Sequence, residues 1–141
     1  MRFINAQADV VKGSFRLDLS EPCNCYIGLV EFHLPNINRR ANNENTIDIT
    51  CDQIDSTFDN PRRLLKRLCF EKVTQSNYNH FEARFIDFKP VDSDDKFLTF
   101  NISRTIGNKN VSFAKAVDSE QIYYTLALKP INDAPANWKC I

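Results

Sequence analysis

The 141-residue chain carries 18 basic and 18 acidic side chains, so its formal net charge is zero. That balance supplies no long-range pull toward nucleic acid or an anionic membrane surface, and it favours self-association instead. With 43% hydrophobic residues and 26% charged ones, the composition is that of a globular domain large enough to bury a core without a metal or disulfide staple.

The residues alternate apolar and polar along most of the chain, the period of half-buried strands. The first predicted strand is Ser14–Leu19, with Phe15, Leu17 and Leu19 inward and Arg16 and Asp18 outward. The second is Cys25–Leu34; its stretch Tyr26-Ile27-Gly28-Leu29-Val30 is apolar on both faces and suits the middle of a covered sheet, and Pro35 ends it. A polar loop, Asn36–Asn45, leads to Thr46–Asp52, where Ile47, Ile49 and Cys51 alternate with Asp48, Thr50 and Asp52. The fourth strand, Leu64–Val73, opens with Arg62-Arg63-Leu64-Leu65-Lys66-Arg67, a stretch equally compatible with a helical turn.

Phe81–Phe88 reads as the fifth strand, its inward set shifting from Phe81, Ala83 and Phe85 to Ile86 and Phe88 as a β-bulge would shift it. An acidic loop, Pro90–Lys96, precedes the sixth strand, Phe97–Arg104. Gly107-Asn108 suits a tight turn before a short strand at Val111–Phe113. The last strand, Ile122–Lys129, places Ile122, Tyr124, Leu126 and Leu128 on one face, and Pro130 stops it. Trp138 in the tail is expected to pack back as a lid. The expectation is one all-β domain over residues 1–141, an eight-stranded single jelly-roll sandwich with core strands over about 14–129. The Cys–Trp–Cys signature of an immunoglobulin-like sandwich is absent, since Trp138 follows the last strand.

Candidate chemistry is sparse. His33 and His80 are the only histidines; far apart in sequence, they read as ordinary strand-edge side chains and not as a metal set. Cys23-Asn24-Cys25 lacks the second Cys/His pair that a zinc site uses. The five cysteines leave an odd thiol, and no signal-peptide h-region or membrane-length apolar run is seen, so a reducing compartment is expected. Asp92-Ser93-Asp94-Asp95 resembles half of a calcium loop without its Gly and Glu, and reads as a solvated acidic loop. Arg62, Arg63, Lys66 and Arg67 form the sharpest charge cluster. With only 3 Gly there is no phosphate loop, and no nucleophile elbow or triad signature is found. No catalytic residue, cofactor or metal is assigned, and a non-enzyme is expected.

The order of segments carries a resemblance. Gly13-Ser14-Phe15-Arg16-Leu17-Asp18-Leu19 followed by Cys25-Tyr26-Ile27-Gly28-Leu29-Val30-Glu31-Phe32-His33-Leu34-Pro35-Asn36-Ile37-Asn38 resembles the opening of single jelly-roll penton (minor capsid) proteins of Maverick/Polinton elements, adintoviruses and virophages. Ile47–Ile54, Leu64–Leu68, Phe81–Pro90 and Leu98–Gly107 resemble their later segments, so the likeness spans roughly Ser14 to Lys129. The Arg- and Asn-rich Asn36–Asn45 loop and the short Gln75–His80 connection depart from the pattern. The resemblance implies a virion protein: a homopentamer at the fivefold vertices of an icosahedral capsid, beside a double jelly-roll major capsid protein, with no catalytic residues. The subunit interface is expected to pair Arg62, Arg63, Lys66 and Arg67 with Asp92, Asp94 and Asp95. A ligand-binding sandwich, lectin-like or C2-like, is the alternative, and a Cys-dependent enzyme the third.

Overall fold

The computed structural model describes residues 1–9, 13–34, 46–69, 79–104 and 121–131. Within them lie nine strands: β1 (Arg2–Asp9), β2 (Ser14–Asp18), β3 (Asn24–Leu34), β4 (Thr46–Cys51), β5 (Leu64–Cys69), β6 (Asn79–Glu82), β7 (Lys89–Asp92), β8 (Phe97–Arg104) and β9 (Gln121–Pro130). All pairings are antiparallel. One sheet runs β1-β9-β3-β6, with β7 also on β3, and the other runs β2-β8-β4-β5.

β6 pairs with β3 at Glu31–Leu34 and β7 pairs with it at Asn24–Ile27. The two therefore occupy one lateral position, broken in the middle. Counted by position, the chain forms four nested pairs: β1 with β9, β2 with β8, β3 with β6/β7, and β4 with β5. That nesting is a long hairpin rolled into two sheets, the jelly-roll arrangement. Among the described residues, nine strands thus occupy eight positions.

The core lies between the sheets. Phe15 of β2 stacks on Phe100 of β8 at 4.9 Å between ring centroids, and reaches across to Tyr124 of β9 at 5.1 Å and Phe32 of β3 at 6.0 Å. Ile27, Leu34, Ile49, Leu98, Ile102 and Ile122 fill the space around them with no exposed surface. Burial of Tyr124 pushes its hydroxyl pKa up to about 12. The inward set of β9 (Ile122, Tyr124, Leu126, Leu128) is the one its alternation predicts.

Four expectations need correction or fall outside the description. β1 was not anticipated: its inward residues Ile4, Ala6 and Ala8 are small or near an edge and give a weak apolar signal. Phe81–Phe88 is not one strand. Residues 83–88 leave the ladder, and Phe85, expected inward, is 88% exposed. Pro90, Val91 and Asp92, expected in a loop, lie in β7. The Asn36–Asn45 loop, most of the Gln75–His80 connection, the Gly107-Asn108 turn, the Val111–Phe113 strand, Trp138 and Cys140 lie outside the described residues.

Two bulges set which side chains face outward. On β3 the register with β9 slips between Leu29 and Glu31, so Val30 is the extra residue. Ile27 and Leu29 face the core before it, and Phe32 and Leu34 after it. Without the slip, strict alternation would send Glu31 and His33 into the core and Phe32 out. The carbonyl of Val30 accepts a hydrogen bond from the Ala83 amide at 2.8 Å. On β5, Ile49 pairs with Lys66 but Thr50 with Leu64. This slip lets Leu65 and Leu68, three residues apart, both reach the core, and it explains why the sequence there also fits a helical turn.

The run Tyr26–Val30 is apolar on both faces because β3 is covered on both. Gly28 lies on the outer face, where Ile86, the Asp87 carbonyl and Phe88 of the 83–88 segment cross over it. A Cβ at position 28 would collide with Ile86 and sit 3.2 Å from the Asp87 oxygen.

Candidate functional site

On the outer face of the β1-β9-β3-β6 sheet, His33 of β3 stands directly opposite His80 of β6 and, on its other side, opposite Tyr123 of β9. The two imidazoles stack with centroids 4.2 Å apart and planes inclined by 25°. Glu31, two residues back on the same face of β3, brings its Oε1 to 2.7 Å from His33 Nε2 and 2.9 Å from His80 Nε2. One carboxylate oxygen therefore meets both ring nitrogens. The hydrogen bond from His33, then that from His80, holds the Glu31 carboxyl below the ordinary range.

Glu31, His33 and His80 each place a ligand atom within 4.8 Å of the others, and no second group of this kind occurs among the described residues. In the sequence the two histidines stand apart, with 46 residues between them. A cross-strand pairing of that range is invisible to local pattern. The available signal was Glu31-Phe32-His33, two ligating side chains at the spacing of one strand face.

The four basic side chains are divided among different local partners. Asp48 of β4 has no exposed side-chain surface, although its place between Ile47 and Ile49 suggested a solvent-facing position. It is covered from outside: Arg67 Nε and Nη2 reach its two oxygens at 2.7 and 3.3 Å, and Arg62 Nη1 donates at 3.0 Å. Burial alone would raise the Asp48 pKa, but the hydrogen bonds and charges of Arg67 and Arg62 outweigh it and leave the carboxyl below its ordinary value. Arg63 occupies the left-handed region with φ of 57°. Its Nε donates to the Ile54 carbonyl at 3.1 Å, and its own carbonyl accepts from the Cys51 amide at 3.0 Å. Lys66 lies with its Nζ 5.9 Å from the centre of the Phe81 ring.

The acidic segment is split between β7 and the following turn. Asp92 is exposed at the end of β7, opposite Asn24. The Asp95 amide is held by Ser93 Oγ at 3.1 Å, and its carboxylate accepts from Gln53 Nε2 at 3.5 Å. Asp92, Asp94 and Asp95 are not drawn together as a cation cage with other described carboxylates.

The thiols of Cys23 and Cys25 approach to 2.6 Å beside a cleft of about 240 Å³ also lined by Arg2, Leu19, Glu21 and Pro130. The contact with Cys23 lowers the Cys25 pKa against the effect of burial, and Arg2 adds to the lowering; the same contact and burial raise Cys23. Burial pushes Cys51 up to about 12. Cys69 is exposed.

No helix among the described residues is long and apolar enough to cross a membrane. No family model, curated protein or solved structure matches the chain. The fold and the local geometry therefore define the class on their own: an all-β, jelly-roll sandwich.

Proposed function

We propose that this chain is a structural capsid protein, a vertex subunit whose five copies close a ring at the fivefold positions of an icosahedral shell beside a larger double jelly-roll capsid protein. The observation that carries the reading is the nested strand order, β1-β9-β3-β6/β7 over β2-β8-β4-β5, together with the segment-by-segment resemblance from Ser14 to Lys129. Zero net charge and exposed apolar side chains at Phe3, Phe58, Phe85 and Tyr123 suit a protein that buries surface by self-association. A ring of five requires two different patches per subunit that meet head to tail.

The charged segments supply candidates for those patches. Arg62 and Arg67 spend their inner hydrogen bonds on Asp48 but keep 37% and 47% of their side-chain surface exposed. With Arg63 and Lys66 they form the basic side; Asp92, Asp94 and Asp95 form the acidic side. Reversing the acidic side (Asp92→Lys, Asp94→Lys, Asp95→Lys) tests the pairing cleanly, because it spares the Asp48 pair. Fivefold rings in electron micrographs of the purified chain, lost in this variant, are the expected result. Rings that persist in it would remove the pairing; no rings from the unaltered chain at high concentration would remove the vertex reading.

A further inference from the structure

We propose that Glu31, His33 and His80 form a binding site for one zinc ion on the outer face of the β1-β9-β3-β6 sheet. The proposal stands apart from the assembly reading and uses none of the residues assigned to the interface.

Three features carry it. The donor set, two imidazoles and a carboxylate, is one that zinc accepts with a fourth position left for water or a further ligand. The donors already converge, with both Nε2 atoms within 2.9 Å of one Glu31 oxygen. The backbone also builds the convergence. The extra residue Val30 turns Glu31 and His33 outward together, and ladder pairing sets His80 directly beside His33. A bulge that re-aims side chains at a site is a recurrent use of that irregularity.

Binding requires donor atoms that lie within 4.8 Å of one another to close to tetrahedral spacing, with the two rings tilting together. Zinc sits about 2.0–2.1 Å from each ligand atom, which places tetrahedral donors roughly 3.3 Å apart. The Glu31 oxygen therefore retreats from each ring nitrogen by about half an ångström, within the reach of a half-exposed glutamate side chain. In the metal-free site the Nε2–H of each ring donates to the Glu31 carboxylate; on binding that proton is released to solvent or passes to Nδ1, each imidazole offers its Nε2 lone pair, and the carboxylate offers one oxygen. Ion and three ligands carry a net charge of +1. The stacked rings, held by a strand pair, lose little freedom on binding.

The cysteines are the obvious competitors for zinc, and the experiment separates them. Metal-free chain, kept reduced, is titrated with zinc chloride by calorimetry, and the histidine ring resonances are followed by nitrogen-15 NMR. One zinc per chain is expected, shifting the Nε2 resonances of both His33 and His80. Glu31→Gln, His33→Ala and His80→Asn should each weaken binding at least about tenfold. Cys23→Ser with Cys25→Ser should leave it unchanged. His80 is exposed and on an edge strand, so His80→Asn keeps the fold, which circular dichroism checks. Absence of one-to-one binding, binding that survives His33→Ala with His80→Asn, or binding lost with the cysteines would each overturn the site.

Discussion

Asp48 faces Arg67 directly across the β4–β5 ladder, and the guanidinium closes over a carboxylate that has no access to water. Two cations hold this one anion, and both keep part of their surface in solvent. The arrangement is asymmetric. Losing the anion leaves two arginines that water can still solvate, whereas losing both arginines leaves a carboxylate set between Ile47 and Ile49 with neither ionic partner. Arg62→Ala with Arg67→Ala should therefore melt well below Asp48→Asn, and each single arginine variant should fall between the double variant and the unaltered chain. Thermal melts by circular dichroism at neutral pH check the order.

The same pair sets an acid limit. The folded-state pKa of Asp48 is depressed, so its stabilising contribution is complete above the unfolded value of about 3.9 and disappears as the pH falls through the folded one. Stability should drop below about pH 4, and Asp48→Asn should flatten that drop. Urea melts from pH 6 down to pH 2 measure it; equal slopes in the two proteins would show that other carboxylates dominate.

Gly28 answers to a different constraint. Its backbone needs no special conformation, but Ile86 and the Asp87 carbonyl lie where a side chain would go. Gly28→Ala should destabilise by about 1–3 kcal/mol through overpacking. Pairing it with Ile86→Ala should recover part of the loss, because the branched methyl that obstructs the Cβ is then gone. A denaturant double-mutant cycle gives the coupling.

The bulge at Val30 can be tested by removing it. Because Val30 is the extra residue, deleting it leaves strict alternation along β3 with Leu29 and Phe32 still inward and Glu31 and His33 still outward. The shortened chain should keep a cooperative transition. Phe32→Ala, which leaves the register intact and opens a cavity, should cost about 3–5 kcal/mol and still give a cooperative transition. Loss of the cooperative transition on deleting Val30 would mean that Val30 is not the extra residue of this strand.

The thiols should differ sharply in reactivity. Cys69 is exposed, while Cys51 is buried with its pKa pushed up to about 12. Alkylation of the folded protein at neutral pH should mark Cys69 early and spare Cys51 until the chain is unfolded. Peptide mass mapping over time distinguishes the two.

Much of the sandwich was legible because its inward residues are large and alternate. Phe15, Ile47 with Ile49, Leu98 with Phe100, and Ile122 through Leu128 announce their faces. Where alternation is interrupted, reading failed for specific reasons. The phase change at Phe81–Phe88 marks the place where the chain leaves the sheet. The bulge in β3 went unseen because Tyr26–Val30 is apolar on both faces and hides a slip of one residue. β1 lacks large inward side chains. Asp48 looked solvated because a strand pattern reports which face a residue takes, and not whether arginines from the next strand will cover it. The Glu31–His33–His80 cluster depends on the pairing of β3 with β6, a contact that arises only when the nested ladder closes.

The vertex reading is tested most directly by the mass of the purified chain in solution, measured by sedimentation equilibrium across a hundredfold range of concentration. The account predicts a discrete species of five times the 16.3 kDa chain mass that gains weight as concentration rises. A single species of one chain mass at every concentration would contradict it.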